Sequence, residues 1–497
     1  MSDIFCSYYT KNQNITSYMV SMISPAQDDL ILEPCGGDGM FIDALLEYNP
    51  HIRIDTCDLD RNAVSVMQDK YSIHNNISIR ETDTLTDALF DRHSDVGYYD
   101  KVIGNPPYGG WQDYERRAEL RQKYKGFYVK ETYTLFLLRC VSLLKANGVL
   151  SFIIPDTFLY LHNHKHLRKY LLENTVIKEI VVFPSKFFPG VSFGYSNLCI
   201  ITLQKEGSIE RKNNNVFSFI KGLKSDEELR LLALGEHPCD CICKNMMQRD
   251  ILKNQDCAFF VGDDQSNQSI VTSKHRLADI ADCVTGIYCG DNKRFLAIAC
   301  DNHREVSEYP SVDKMEIDYF HKLTTPLQSS CKYIPIVKGS SVTDYYRTAD
   351  KWVIEWTSTA LSHYNSDKKA RFQNSNYYFK DGIALPMVKS SKIKATIMNG
   401  YVFDQSIVGV FPHDKKYQLY LLAFLNSKIA NEYIHIINPT ANNSANYLKK
   451  LPIYLPSDSE LREINTWVVN ILETQDKGVY QDYIDSFFDE KLKRQIA

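Results

Sequence analysis

The stretch LILEPCGGDGMFIDALLEY spans residues 30–48 and carries the main indication of the fold. Its first six residues are a largely apolar strand candidate, and residues 40–48 have apolar side chains at helical spacing. Between them, Gly36, Gly37 and Gly39 let the backbone turn tightly and approach a ligand without Cβ clashes. The free N–H groups at the start of the helix point into the same crevice. A glycine loop alone is weak evidence for a ligand site, so a purely structural turn is the alternative.

Strand and helix candidates alternate over the first ~205 residues, which predicts a largely parallel sheet covered on both faces by helices. In such α/β sheets, ligands bind beyond the carboxyl ends of the strands. A helix candidate at 133–148 ends at Gly148, and a second long helix is predicted further along the chain at 417–437. The other strand candidates are 52–60, 77–83, 99–108, 149–155, 177–183 and 196–204.

Composition limits the classes of protein that fit. A chain of 497 residues with 44% hydrophobic and 24% charged residues is neither small nor mostly disordered. It has no apolar run near the ~20 residues of a membrane span, and its N-terminus does not resemble a signal peptide. Thirteen scattered cysteines are typical of reduced thiols, so we expect a cytoplasmic protein.

Charge is distributed unevenly along the chain. Residues 265–455 contain 23 Lys+Arg and 17 Asp+Glu, whereas the remainder contains 34 and 44. The basic surplus suggests that a polyanion contacts the second half, with pairs such as Lys392 and Lys394 touching phosphate. The alternative is a chance fluctuation among solvated surface residues.

Acidic residues close three successive strand candidates. Glu33 closes the first. Asp58 closes the second, where a carboxylate can accept hydrogen bonds from ribose hydroxyls, and Asp83 closes the third, where it could read an adenine amino group. No Gly-Lys-Ser/Thr sequence follows the glycines, and Glu33 would repel a pyrophosphate. A cationic nucleoside without phosphate, S-adenosylmethionine, is therefore the predicted cofactor.

The sequence Asn105-Pro106-Pro107-Tyr108 follows the fourth strand directly. The two prolines fix φ and remove two backbone donors, which leaves a rigid turn rich in acceptors. The Asn105 side-chain oxygen and the Pro106 carbonyl can accept the two hydrogens of a planar amino group, and Tyr108 can stack on the attached ring. This arrangement predicts methyl transfer to an amino nitrogen by orientation and electrostatics. The alternative is a proline-rich loop with a buried tyrosine.

Together, the order Tyr8-Tyr9-Thr10, Glu33 to Gly39, Asp58, Asp83 and Asn105 to Tyr108 resembles the adenine-N6 DNA methyltransferases of restriction-modification systems. The resemblance is specific over residues 8 to about 205 and looser over 284–295, 335–345 and 424–456. It implies a Rossmann-like S-adenosylmethionine-dependent methyltransferase domain followed by a mixed α+β target-recognition domain. It also implies methylation of an adenine that is extruded from the duplex, because an amino group inside a duplex cannot reach such a pocket.

The resemblance also assigns roles to individual residues. Tyr9 and Thr10 would line the methionine end of the cofactor, whose site also includes Asn105 and the loop formed by Pro34, Cys35, Gly36, Gly37 and Gly39. The family usually has alanine-cysteine where this chain has Cys35-Gly36. Phe188 would pack on the extruded base, with Phe193 and Tyr195 as alternatives and ordinary core packing as a further one.

The cluster of His237, Cys239, Cys241 and Cys243 lacks the usual zinc spacing, so no metal site is predicted.

We expect a catalytic domain at 1–210, a connecting segment at 211–265, a DNA target-recognition domain at 266–455 and a C-terminal helical segment at 456–497. The expected partners are double-stranded DNA and a separate restriction endonuclease, with no membrane, and the expected state is a monomer associated with the nucleoid when it is bound to DNA. Methylation of RNA or of a protein glutamine is an alternative, as is a non-catalytic DNA-specificity subunit. The long C-terminal part favours DNA, and the intact Asn105 and Tyr108 favour catalysis.

Overall fold

A computed structural model describes residues 10–108, 114–188, 197–238, 240–260, 262, 264–299, 308–347, 351–388, 392–438 and 442–493. The chain divides into two compact units, Met1–Phe259 and Phe260–Ala497. Among the described residues, no helix is both long enough and apolar enough to cross a membrane.

The first unit is built on a nine-stranded sheet in the described residues, with the order β3-β2-β1-β4-β5-β7-β6-β8-β9. The strands are β1 (Leu30–Glu33), β2 (Arg53–Asp58), β3 (Ile77–Glu81), β4 (Tyr99–Gly104), β5 (Leu144–Pro155), β6 (Thr175–Pro184), β7 (Asn197–Lys205), β8 (Val216–Lys221) and β9 (Ile242–Met247). The helices are α1 (Gln13–Ile23), α2 (Met40–Tyr48), α3 (Arg61–Lys70), α4 (Ala88–Val96), α5 (Tyr114–Lys123), α6 (Thr132–Leu143), α7 (Lys165–Asn174), α8 (Ile209–Asn213), α9 (Glu228–Ala233) and α10 (Gln248–Lys253).

The predicted parallel arrangement is observed for β1 to β5, which pair with one another in parallel. β7 runs antiparallel to both β5 and β6, so β6 has the same direction as β5. The order of the strands reverses between β1 and β4, because the chain builds one side of the sheet from β1 to β3 and the other from β4 onward. This reversal is the switch point at which α/β sheets bind ligands.

Two predicted helices have different limits in the structure. The helix predicted at 133–148 ends at Leu143, because Leu144 is extended and pairs with Tyr99 of β4, so Gly148 lies in a strand and caps no helix. The single helix predicted at 417–437 is two helices, Gln418–Asn426 and Lys428–Ile437. They are separated at Ser427, which is extended and whose side chain accepts a hydrogen bond from Ala430 N at 3.3 Å.

Most of the segment that the sequence suggested as a connection, 211–265, belongs to the first unit, which ends at Phe259. β8 pairs in parallel with β6, and β9 pairs antiparallel with β8. The fully buried Gln248 joins this extension to the rest of the unit. Its Oε1 accepts hydrogen bonds from Ile177 N and Asn215 Nδ2, and its Nε2 donates to the carbonyls of Leu172 and Thr175, all at 2.7–3.0 Å.

In its described residues the second unit is a mixed α+β structure with a four-stranded sheet, β10-β18-β15-β16, and a five-stranded sheet, β12-β11-β14-β13-β17. The strands are β10 (Ala281–Thr285), β11 (Leu296–Ala299), β12 (Ser311–Val312), β13 (Tyr333–Val337), β14 (Trp352–Glu355), β15 (Asp381–Pro386), β16 (Thr396–Asn399), β17 (Val402–Phe403) and β18 (Ile407–Pro412). The helices are α11 (Asp264–Thr272), α12 (Asn292–Phe295), α13 (Ser358–Ser366), α14 (Gln418–Asn426), α15 (Lys428–Ile437), α16 (Ala445–Leu448), α17 (Asp458–Thr474) and α18 (Gly478–Lys493).

The predicted C-terminal helices are present as α17 and α18. α17 begins with a capping box in which Ser457 and Glu460 satisfy each other's backbone N–H groups. α18 is attached to the rest of the second unit, since Gln481 Oε1 accepts a hydrogen bond from the buried Tyr345 hydroxyl at 2.8 Å. Asp485 of α18 also accepts a hydrogen bond from Lys428 N, at 2.8 Å.

Replacing Gln248 with leucine should destabilise the first unit. Leucine cannot pair with Ile177 N or with the carbonyls of Leu172 and Thr175, and each buried group left without a partner costs about 1–3 kcal/mol. We expect a loss of roughly 2–5 kcal/mol, measured by urea unfolding together with reduced hydrogen-exchange protection in β8 and β9. The exposed Gln255→Leu is the matched control, and equal stability of the two variants would contradict the assignment of 211–259 to the first unit.

Candidate functional site

A pocket of about 700 Å³, open to solvent, lies at the carboxyl ends of β1, β2 and β4. Nine of the predicted site residues line it: Thr10, Glu33, Pro34, Cys35, Gly36, Gly37, Asp58, Asp83 and Asn105. Tyr9 lies outside the described residues.

The glycine loop holds a shape that other residues could not adopt. Gly39 has φ +82° and caps the start of α2, and an added Cβ there would collide with the Tyr71 ring. The Tyr71 hydroxyl donates to the Gly39 carbonyl at 2.8 Å and fixes this turn. At Gly36 an added Cβ would collide with the Thr56 hydroxyl of β2. The loop is therefore packed closely against its own unit on one side and faces the pocket on the other.

Asp58 is oriented by the same loop. Its Oδ2 accepts a hydrogen bond from Gly37 N and its Oδ1 accepts one from Asp60 N, both at 2.9 Å. Burial raises the pKa of Asp58 above its ordinary value, although these two hydrogen bonds act in the opposite direction. Two backbone donors leave acceptor capacity on the carboxylate, which is what recognition of ribose hydroxyls requires.

Glu33 is the most buried acid of the pocket, with 1% of its surface exposed. Its Oε2 has no hydrogen-bond partner among the described residues. Burial raises the pKa of Glu33 well above its ordinary value, and the nearby Asp58 and Asp38 raise it further. A buried acceptor of this kind favours a ligand that brings a positive charge or a donor to it.

Asp83 has more partners than the sequence indicated. Its Oδ1 accepts a hydrogen bond from Leu85 N, and its Oδ2 accepts one from the Thr86 hydroxyl, both at 2.9 Å. Arg116 of α5 forms an ion pair with the same Oδ2 at 2.8 Å. The carboxylate therefore connects the pocket to the helix that comes shortly after the Asn-Pro-Pro-Tyr turn.

The Asn-Pro-Pro-Tyr turn reaches the pocket through the pairing of β1 with β4. Leu32 pairs with Val102, so Asn105 follows β4 at the level of the glycine loop that follows β1. Asn105 Nδ2 donates to the Thr10 hydroxyl at 3.1 Å, which orients the amide. Pro107 lines the pocket and Pro106 is buried. Tyr108 has no exposed surface, and its ring packs edge-to-face against Tyr133 at 6.5 Å.

Phe188, the predicted contact of the target base, has 2% of its surface exposed and stacks on Phe183 with 6.4 Å between ring centroids. It follows β6, whose carboxyl end lies at the same edge of the sheet as Asn105. The alternatives Phe193 and Tyr195 lie outside the described residues. The base-stacking role of Phe188 therefore stays a prediction.

Several pocket residues were not identified from the sequence. Phe136 of α6 lines the pocket, but the helix is buried on almost all sides, and its sequence does not indicate which side chain faces a ligand. Thr84 also lines it, and its hydroxyl donates to the Pro34 carbonyl at 2.8 Å.

Burial raises the pKa of the Cys35 thiol, which keeps it neutral and unsuited to act as a nucleophile.

Among the described residues, no group of three or more His, Cys, Asp or Glu side chains is arranged to hold a metal ion. Cys239 of the cysteine cluster lies outside that part of the chain. Cys243 is a free thiol.

Comparison with known proteins relates this site to a family. Residues 45–188 match the family model described as Eco57I restriction-modification methylase. The Type II methyltransferase M.HincII of Haemophilus influenzae is 27% identical over 230 residues, which cover 45% of this chain and 41% of that protein. The adenine-specific methyltransferase BrxX of Escherichia coli is 23% identical over 367 residues, which cover 71% of this chain and 28% of the BrxX chain. The chain thus spans less than half the length of these curated relatives.

The fold is similar to that of a nuclease-deletion mutant of the Type ISP restriction-modification enzyme LlaGI, solved with a DNA substrate mimic. The TM-score is 0.59 with 13% identity, over 96% of this chain and 55% of the other. The predicted α/β fold class and the resemblance to restriction-modification adenine methyltransferases are confirmed by these comparisons.

Glu33→Gln should stabilise the cofactor-free protein and weaken cofactor binding. Folding raises the pKa of Glu33. The free energy of unfolding of the wild type therefore falls as the pH rises from the ordinary glutamate pKa, about 4.3, towards the raised pKa of Glu33 in the folded protein. The variant does not have this dependence, and its melting temperature at neutral pH should rise by roughly 2–4 °C for each kcal/mol regained. S-Adenosylmethionine affinity, measured by calorimetry, should fall by about 1.5–3 kcal/mol. The exposed Glu47→Gln is the control; a lower melting temperature for Glu33→Gln than for wild type would contradict this interpretation.

Asp83→Asn and Arg116→Gln distinguish two roles of Asp83. If Asp83 reads the adenine amino group, wild type should bind S-adenosylhomocysteine more tightly than S-inosylhomocysteine by about 1.5–3 kcal/mol, and Asp83→Asn should lose most of that preference. Arg116→Gln removes the ion pair but keeps the Asp83 carboxylate, so this variant should retain the preference for S-adenosylhomocysteine. A preference that Asp83→Asn leaves intact would limit Asp83 to anchoring α5.

Proposed function

We propose that the chain is a site-specific DNA methyltransferase that transfers a methyl group from S-adenosylmethionine to the N6 amino group of an adenine extruded from a duplex. One observation carries the proposal. Asn105 and Pro107 of the Asn-Pro-Pro-Tyr turn line the same pocket as Glu33, Asp58 and Asp83. An amino-binding turn beside a cation-favouring nucleoside pocket is what this transfer requires. The similarity to an adenine-specific methyltransferase supports adenine as the target.

The pocket residues fit S-adenosylmethionine. The buried Glu33 oxygen without a hydrogen-bond partner suits a cationic ligand, and the oriented Asp58 carboxylate suits ribose hydroxyls. The cluster of acids that raises the pKa of Glu33 does not suit phosphate. When bound, S-adenosylmethionine supplies the electrophilic methyl group. Glu33, Asp58, Asp83 and the glycine loop would hold it, with Thr10 at its methionine end.

Asn105 would act on the substrate amino group. Thr10 accepts a hydrogen bond from the Asn105 amide nitrogen, which directs the amide oxygen to the other side. That oxygen and the Pro106 carbonyl would accept the two amino hydrogens and orient the nitrogen lone pair for attack. Tyr108 and Phe188 are the proposed aromatic contacts of the extruded base, since each follows a strand that ends at this edge of the sheet. Both rings are buried in the protein without ligand, so contact with a base requires that they become accessible when DNA binds.

The second unit would supply the target-recognition surface, and double-stranded DNA would be its partner. The basic surplus over residues 265–455 supports a polyanion as ligand. We propose that the chain acts as a monomer in the cytoplasm and works with a separate restriction endonuclease. Each of these proposals is open to direct measurement in solution.

Transfer of radiolabelled methyl groups from S-adenosylmethionine into DNA, RNA and total protein tests the substrate class. We expect label in DNA, and digestion to nucleosides should give N6-methyladenosine in its deoxy form. Label in RNA or in protein glutamine would replace the proposed substrate. Absence of label from all three, with DNA binding retained, would favour a specificity subunit.

Asn105→Ala should abolish transfer, because its side chain orients the substrate nitrogen. We expect a fall in rate of at least roughly 10²–10³-fold, the scale of losing one oriented polar group at a reacting centre. S-Adenosylmethionine affinity should stay within a few-fold of wild type by calorimetry. The exposed Asn62→Ala is the matched control. Turnover of Asn105→Ala within a few-fold of wild type would remove this residue from the mechanism.

A further inference from the structure

Two segments of the second unit that are far apart in sequence are held side by side. Residues 285–290 run along residues 370–374. Arg371 N donates to the Tyr288 carbonyl at 2.8 Å, and Tyr288 N donates to the Arg371 carbonyl at 3.1 Å. The side chains of Gln373 and Asn374 extend this pairing by donating to the carbonyls of Gly286 and Thr285, both at 2.9 Å. The two segments therefore have a fixed register relative to each other.

This pairing brings two groups of basic residues together. Gly290 packs against Ala370, since an added Cβ on Gly290 would lie 3.2 Å from Ala370 N. α12 follows Gly290 by one residue and carries two cations, while three more lie within two residues of Ala370. All five are exposed. We call them the paired-segment surface: Lys293, Arg294, Lys368, Lys369 and Arg371.

Three acidic groups lie near these cations in the described part of the chain, and each has a local partner. Asp291 accepts a hydrogen bond from Arg294 N at 3.2 Å and caps α12. Asp367 accepts hydrogen bonds from the backbone at Lys369 and Ala370, at 2.7 and 3.3 Å. Glu308 pairs with Lys293 at 3.3 Å. These acids thus stabilise local backbone or one lysine, and among the described residues of this surface five cations stand against three acids.

Four cations of this surface differ from most other lysines of the unit. Within the described residues, Arg294, Lys368, Lys369 and Arg371 form no ion pair within 4.0 Å. By contrast, Lys392 pairs with Asp344 at 3.4 Å, and Lys394 donates to the Val342 carbonyl at 2.8 Å. The pair that the sequence suggested for phosphate contact is therefore engaged within its own unit.

We infer that the paired-segment surface binds the sugar-phosphate backbone of duplex DNA. The inference rests on the proposed function and assigns to 285–294 and 367–371 a role that the methyl-transfer site does not require. Exposed lysines act as point charges and suit phosphates, which carry no sequence information. The fixed backbone pairing would place these charges in a constant arrangement, so that they set the position of the duplex on the second unit.

The test uses the full chain and a mixed-sequence duplex of about 40 base pairs, titrated from 50 to 200 mM salt. Lys368→Ala/Lys369→Ala should lower the slope of log affinity against log salt by about 0.9 for each phosphate that the variant no longer neutralises. Near 0.1 M salt this corresponds to a fall in affinity of about five- to tenfold for each such phosphate. Arg371→Gln should act in the same direction, since its backbone pairing with Tyr288 does not depend on the side chain.

Lys415→Ala/Lys416→Ala is the matched control. It is also an adjacent exposed pair in the second unit and changes the charge equally, but Lys415 pairs with Asp381 at 2.8 Å and Lys416 with Asp414 at 3.8 Å. Its slope should equal that of wild type. Equal slopes for both double variants and wild type, or equally reduced slopes in the two variants, would overturn the inference while leaving DNA methylation by wild type intact. Failure of wild type to bind or methylate DNA would overturn the proposed function as well.

Discussion

The parallel pairing of β1 with β4 is the constraint on which the candidate site depends. Ile31 pairs with Lys101 and Leu32 with Val102, so the glycine loop after β1 and the Asn-Pro-Pro-Tyr turn after β4 leave the sheet side by side. A slip of one residue in this pairing would reverse the faces of β4 and remove Asn105 from the pocket.

The buried acids of the pocket destabilise the folded protein and favour the binding of a cationic ligand. Burial raises the pKa values of both Glu33 and Asp58, and the acids around Glu33 repel one another. A cation that binds only the folded protein would offset this cost and stabilise the unit by mass action. The site is thus less stable when empty than a neutral pocket of the same shape, and this difference favours a positively charged ligand over a neutral one.

In the second unit, hydrogen bonds between segments that are distant in sequence hold a stretch of irregular backbone in place. The segment 284–295 forms no long strand beyond β10, and its shape is held by hydrogen bonds to residues 370–374. Lysines of the same unit divide into those paired with acids and those that are not, although all of them contribute equally to the net charge of the sequence. A charge count indicates that a polyanion is attracted, whereas local pairing decides which residues are available to touch it.

The sequence by itself determined the glycine loop, the three acidic strand ends and the catalytic-type turn. It also determined the strands β1 to β7, with shifts at their ends that are largest at the start of β5. These features are local, since they follow from periodicity and from glycine and proline at particular positions. Tertiary structure alone decided that Leu144 ends α6 by pairing with Tyr99, that β8 and β9 extend the sheet, and that Arg116 reaches Asp83. It also decided the pairing of Tyr288 with Arg371. Each of these depends on residues that are distant in sequence, and neither spacing nor propensity in one segment carries information about a partner strand or a partner charge elsewhere in the chain.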